Sequence, residues 1–262
     1  MYYIGWDIGI KNLAYCIIEK TNTSEIIHDL NIINLIDPPP IHKCGFTNKN
    51  DSICKGKVTY NLKTDNNIKY CNKHYKILSV KEQKLVKLIK PPKKCSKYTL
   101  EELGTRLFNT LDENPLFINC ENIIIENQPV LKNPTMKSIQ IMVFSYFVYK
   151  DHPHNHEIMD VCLLNANNKM KVYKGEINPE ILAKITKLKS KYSQNKKLSI
   201  IHTNLMLENI NEENKYIEMF NKSKKKDDLA DSYLMTLFFI ANRINKPLSI
   251  KKKKNNVNYL KI

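Results

Sequence analysis

Long apolar runs are missing from this chain. Those present, such as residues 123–125 and 234–241, fall short of the roughly 20 residues that span a bilayer, so no membrane segment is expected. Met1-Tyr2-Tyr3-Ile4 has no basic region ahead of an apolar one, and no signal peptide is read there. Glycine is scarce, six in 262 residues, while lysine, asparagine and isoleucine abound. AT-rich coding produces that bias, which discounts part of the lysine excess. A disulfide framework is not expected either. Seven cysteines is an odd number without a secretion signal, so reduced thiols or metal ligands are the expectation. Acidic residues are outnumbered, 26 against 42 basic, and the formal charge of +16 points to a polyanionic partner, nucleic acid by default. The 42% apolar content is enough for a packed core, and the length suits one large domain or one domain with a small insert.

The pattern along the chain has an α/β order. Strands are expected over residues 2–7, 14–19 and 31–36, the last stopped by Pro38-Pro39-Pro40. Residues 80–89 look helical. Thr99-Leu100-Glu101-Glu102 is a capping box followed by Leu103, Leu107 and Leu111 at helical spacing. Residues 123–126 form a short apolar strand of sheet-centre type. Pro134 suits a helix start, with Ile139, Val143, Tyr146 and Phe147 on one face. A strand over 157–164, a lysine-rich loop over 169–191, a helix from a Ser193 cap to about residue 208 and a last helix over 227–242 complete the series. Met136, Ile139, Val143 and Phe147 are either core or a dimer face.

Three acidic clusters carry the chemistry. Asp7 closes one apolar strand and Glu126 another, and strand ends are where open α/β sheets bind ligands. Asp228 and Asp231 stand three apart, on one face of a helix, with Ala230, Leu234, Leu237 and Ala241 expected toward the core. Asp227 is placed close to that helix's N-cap. Carboxylates at apolar edges are costly unless paired or bound to a cation. Together they are candidate ligands for one or two Mg²⁺ ions, which favour oxygen donors and keep phosphate and water in their shell.

The segments Asp7-Ile8-Gly9-Ile10-Lys11-Asn12, Ile125-Glu126-Asn127-Gln128 and Lys225-Lys226-Asp227-Asp228-Leu229-Ala230-Asp231-Ser232 resemble those of poxvirus-type Holliday junction resolvases, RuvC-type nucleases of the RNase H-like superfamily. The resemblance implies an RNase H-like mixed sheet flanked by helices, over residues 1–40 and 79–250. It implies a homodimeric endonuclease, dependent on Mg²⁺ or Mn²⁺ at about two ions per site, that makes paired nicks in branched DNA at four-way junctions. Asp7, Glu126, Asp228 and Asp231 take the four acidic positions. Lys196 or Lys197 matches an active-site lysine, and Lys197 is carried forward as the catalytic candidate. An intracellular protein at sites of viral DNA replication is implied. The competing functions are a non-catalytic RNA- or DNA-binding protein on the same scaffold, and another nuclease or transposase of the superfamily.

Residues 41–78 depart from that family's pattern. Cys44-x9-Cys54-x16-Cys71-x2-His74 is a thiolate and imidazole set with the close terminal pair of structural zinc sites, so one Zn²⁺ is expected in a small insert; His42 is a rival ligand. Lys169, Lys171, Lys174, Lys184, Lys187, Lys189 and Lys191, with Tyr173 and Tyr192, are either phosphate and base contacts or a solvated loop. Residues 251–262 are a basic tail.

Overall fold

The computed structural model describes residues 1–37, 44–47, 52–65, 67–89, 93–131, 133–154, 160–210 and 215–244. The tail expected over 251–262, the prolines at 38–40 and 91–92, and His42 lie outside them. Along the described residues the elements are β1 (Tyr2–Asp7), β2 (Leu13–Lys20), β3 (Glu25–Ile33), β4 (Val58–Leu62), β5 (Lys69–Cys71), α1 (Asn72–Tyr75), α2 (Val80–Lys84), β6 (Val86–Leu88), α3 (Leu100–Glu113), α4 (Pro115–Ile118), β7 (Asn122–Glu126), α5 (Pro134–His154), β8 (Asp160–Leu164), α6 (Pro179–Thr186), α7 (Lys191–Glu208), α8 (Lys215–Lys222) and α9 (Lys226–Ile244), with a 3₁₀ turn at Ala166–Lys171. They form two compact units, Met1–Leu35 with Thr99–Ile262, and Ile36–Tyr98.

The larger unit is built on a five-stranded sheet in the order β3-β2-β1-β7-β8. The first three strands are antiparallel, and β7 and β8 join parallel to β1. This is the mixed sheet flanked by helices expected from sequence. Helices make the parallel connections, as parallel strands require. Alternation along β1 sorts its two faces. Trp6 packs on Tyr15, Phe117 and Phe147 on one side. Tyr3 joins Ile124 and the α9 residues Ala230, Leu234 and Leu237 on the other.

The capping box at Thr99 forms, with Thr99 Oγ1 accepting from Glu102 N–H and Glu102 accepting from Thr99 N–H, and Leu103, Leu107 and Leu111 are fully buried. Ile139, Val143 and Phe147 are fully buried too, so the stripe on α5 is core. Five expectations change. Residues 80–89 are helix only as far as Lys84; Val86 and Leu88 pair with Leu62 and Tyr60 as β6, because a short sheet gains a third strand there. The lysine-rich loop contains α6, started by Asn178, whose side chain accepts from Glu180 N–H, with Pro179 at the first turn. The cap of α7 is Ser190 rather than Ser193. β3 runs over Glu25–Ile33 rather than 31–36, since it pairs with β2 from Lys20↔Glu25 to Leu13↔Ile33 and β2 goes no further back. On α9, Ala230, Leu234 and Leu237 are buried as expected, while Ala241 is exposed.

Candidate metal centres

Parallel register brings the first two carboxylates together. Trp6 pairs with Ile125, so Asp7 and Glu126 follow side by side at the carboxyl ends of β1 and β7. Both lie on the α9 face of the sheet, two residues beyond Gly5 and Ile124. Gly5 sets how near α9 comes. A Cβ there would overlap Thr236 Oγ1 and stand 2.9 Å from the Ser232 carbonyl oxygen. The fully buried Ser232 and Thr236 therefore lie against bare backbone. One turn earlier on the same helix are Asp228 and Asp231.

All four carboxylates line one cleft of about 330 Å³, with Gln128, Lys169, Tyr192, Asn195, Lys196 and Ser199. Lys169, from the turn after β8, pairs with Asp231. Lys196, on α7, donates to Asp227 at 2.5 Å. Gln128 Nε2 donates to Glu126 at 2.5 Å, and its own backbone N–H donates to the buried Gln140 of α5 at 2.7 Å, which fixes the loop behind Glu126. A larger groove of about 1040 Å³, lined by Asn31, Lys215, Lys222 and Leu229, has one lining carboxylate, Glu218, already paired with Lys222 at 2.8 Å. The predicted acidic residues are therefore gathered in the smaller cleft.

Burial raises Asp7 well above the usual carboxylate range, and the Glu126 carboxylate beside it adds to the shift. Burial also raises Asp228 and Asp231, the latter against the opposing pull of Lys169. Asp228 Oδ2 and Asp231 Oδ1 are buried without a hydrogen-bond partner. Such a cluster ionises fully only when cations stand among its oxygens. The donors are all oxygen, and two have no hydrogen bond, Asp228 Oδ2 having only Lys225 at 3.8 Å, which fits hard divalent ions.

Lys197 does not join this cleft. It is exposed, and Lys196 lines the cleft instead. Successive helical residues point about 100° apart, so only one of the pair can face inward. Asp227 is not an N-cap, since α9 starts at Lys226; it lies in the first turn and is held below the usual range, the Lys196 ammonium outweighing burial. Lys169 is one of the seven lysines of the basic run and does not stand out among them by spacing. Its place in the cleft depends on β8 ending level with Glu126, in register Glu126↔Leu164.

The second centre is in the smaller unit, where β4 pairs with β5 and β6. Donor atoms of Cys44, Cys54, Cys71 and His74 all lie within 4.8 Å of one another. Cys54 Sγ is 3.9 Å from Cys71 Sγ, and His74 Nδ1 is 3.3 Å from Cys44 Sγ and 3.4 Å from Cys71 Sγ. A tetrahedron with bonds of about 2.3 Å to sulfur has edges of about 3.8 Å, so these spacings fit one zinc ion. Gly56 donates its N–H to Cys54 Sγ at 3.3 Å, and a Cβ there would press on Cys71 at 3.0 Å. Phe46 stacks on the His74 ring at 4.4 Å.

No family model matches the chain. An uncharacterized protein of Acanthamoeba polyphaga mimivirus is 29% identical over an alignment of 334 positions, which covers 98% of this chain and 79% of the relative. Among solved structures, the yeast mitochondrial Holliday junction resolvase matches at 19% identity and TM-score 0.45, over 91% of this chain and 78% of its own. The fowlpox virus resolvase with Holliday junction DNA matches at 20% identity and TM-score 0.40, over 92% of this chain and 98% of its own. The fowlpox resolvase alone matches at 16% identity and TM-score 0.37, over 92% and 99%. Likeness at this level settles no function, and the residues of the cleft must carry it. No helix among the described residues is long and apolar enough to cross a membrane.

Proposed function

We propose that this chain is a divalent-metal-dependent endonuclease that resolves four-way DNA junctions by paired nicks. One observation carries the reading. Four carboxylates from β1, β7 and α9 share one cleft, with two of their oxygens buried without a hydrogen bond, in a protein of net charge +16. The motif resemblance adds the junction as substrate. Asp7, Glu126, Asp228 and Asp231 would hold Mg²⁺ or Mn²⁺, about two per site, which when bound activate water and stabilise a leaving oxygen. Gln128 orients Glu126 through its amide. Lys169, paired with Asp231, balances part of the cluster's charge and stands ready to meet a phosphate. Lys196 holds Asp227 and so steadies the first turn of α9. In the smaller unit Cys44, Cys54, Cys71 and His74 would hold one structural zinc.

Two nicks placed symmetrically call for two sites related by a two-fold axis, so the working form is a homodimer. Ile141, Val148 and Tyr149 stay 44%, 42% and 68% exposed on α5, at the spacing of one face, and supply an apolar stripe for that contact. The mimivirus relative suits a protein acting where viral DNA is replicated.

Neutralising single carboxylates tests the site. Asp7→Asn, Glu126→Gln, Asp228→Asn and Asp231→Asn should each lower junction cleavage at least about 100-fold, by analogy with losing one preorganised electrostatic group. Junction binding should stay within a few-fold of wild type, because many basic side chains share it. A variant that still cut at the wild-type rate would remove its residue from the site.

A further inference from the structure

We infer that the Cys₃His unit, Ile36–Tyr98, is the chain's principal DNA-binding surface, gripping phosphate backbone. The inference rests on the nuclease reading only for its choice of DNA as the polyanion.

The charge is concentrated there. Residues 36–98 contain 15 lysines and four acidic residues, a net of +11 in 63 positions, which leaves +5 for the other 199. AT-rich coding would enrich lysine throughout, so it does not explain why most of the net charge falls in this unit. Lys55, Lys57, Lys73, Lys76, Lys84 and Lys87 are all exposed.

The metal cluster gives these cations a frame. Lys55 and Lys57 follow Cys54 closely, and Lys73 and Lys76 flank His74. A zinc ion tying Cys54 to Cys71 and His74 would cross-link the two lysine-bearing segments. Cations mounted on a fixed backbone lose less freedom on binding than cations on a loose loop.

The cutting cleft also needs such help. Its four carboxylates outnumber Lys169 and Lys196, so without bound metal it offers no net positive charge, and with metal it grips only the phosphate being cut. Affinity has to come from elsewhere on the chain. An anionic membrane is a poorer match for the unit, because α1 and α2, with four and five residues, are too short to lay an amphipathic face into a bilayer surface beside the lysines. Duplex DNA presents one charge per roughly 1.7 Å, which suits dispersed cations.

The test uses the full chain with Lys55→Gln, Lys57→Gln, Lys73→Gln and Lys76→Gln combined, and a fluorescent duplex titrated over a salt series. The slope of log affinity against log salt should fall by about 2–4, at about 0.9 for each phosphate left without its lysine, and zinc content should be unchanged. If that variant loses zinc, Lys84→Gln with Lys87→Gln replaces it, and the slope should fall by about 1–2. A wild-type slope in the zinc-loaded variant overturns the inference. So does wild-type DNA binding accompanied by lost binding to phosphatidylserine vesicles, which would make the unit a membrane surface. Cleavage is scored separately. A chain that cuts junctions while the slope is unmoved rejects this inference alone, and one that shows the slope change but never cuts rejects the nuclease reading alone.

Discussion

Gly5 is the residue on which the acidic cleft most depends without being part of it. It has no side chain where Ser232 and Thr236 of α9 cross β1, and the carboxylates of Asp228 and Asp231 follow within one turn. Thr236 Oγ1 can rotate away from an added methyl, but the Ser232 carbonyl at 2.9 Å is backbone, so the helix itself has to move. Gly5→Ala should therefore cost about 1–3 kcal/mol, the usual range for overpacking, and should reduce cleavage by more than the loss of folded protein. Denaturant unfolding with cleavage measured on the folded fraction checks both. A variant as stable and active as wild type would mean that α9 is not seated on bare backbone. The acidic residues themselves were legible in the sequence, because each stands at the edge of an apolar run where a lone charge is expensive. The lysines were not. Lys196 and Lys197 differ only in helical phase, which one chain's pattern does not fix, and Lys169 is hidden in a run of similar residues.

At the scale of elements, the sequence was most legible where a local rule acts alone and least where pairing partners decide. The capping box at Thr99 and the apolar strand of β7 depend on their own residues, and both form as expected. The end of α2 at Lys84 depends on β4, some twenty residues away, which takes Val86–Leu88 as its partner. The zinc-type cluster sits on such partnerships too, since β5 and α1 deliver Cys71 and His74 while Cys44 and Cys54 arrive from earlier segments. Three strands of three to five residues give little core, so the proposed zinc would contribute much of the unit's folding energy. Protein purified without added metal should contain about one zinc per chain. Cys71→Ser should abolish it and leave residues 36–98 open to protease, while the five-stranded unit, which draws no ligand from that segment, stays resistant. A zinc-free preparation with that segment still protected would contradict the assignment.

On the scale of the whole molecule, the two units divide the chemistry by charge. One collects carboxylates at two strand ends and the start of α9, and the other holds lysines close in sequence to a Cys₃His cluster. The order of strands, β3-β2-β1-β7-β8, places Asp7 and Glu126 on neighbouring parallel strands, although 118 residues separate them in sequence. The measurement that tests the central claim most directly is cleavage of a synthetic four-way junction with Mg²⁺, with every strand end-labelled in turn. The account predicts two nicks at symmetric positions on opposed strands, with ends that a ligase reseals, and no cutting by Asp7→Asn. Junction binding without any nick would make the chain a binding protein on a nuclease scaffold, and degradation confined to an RNA–DNA hybrid would make it a different nuclease. Either result would contradict the proposed function.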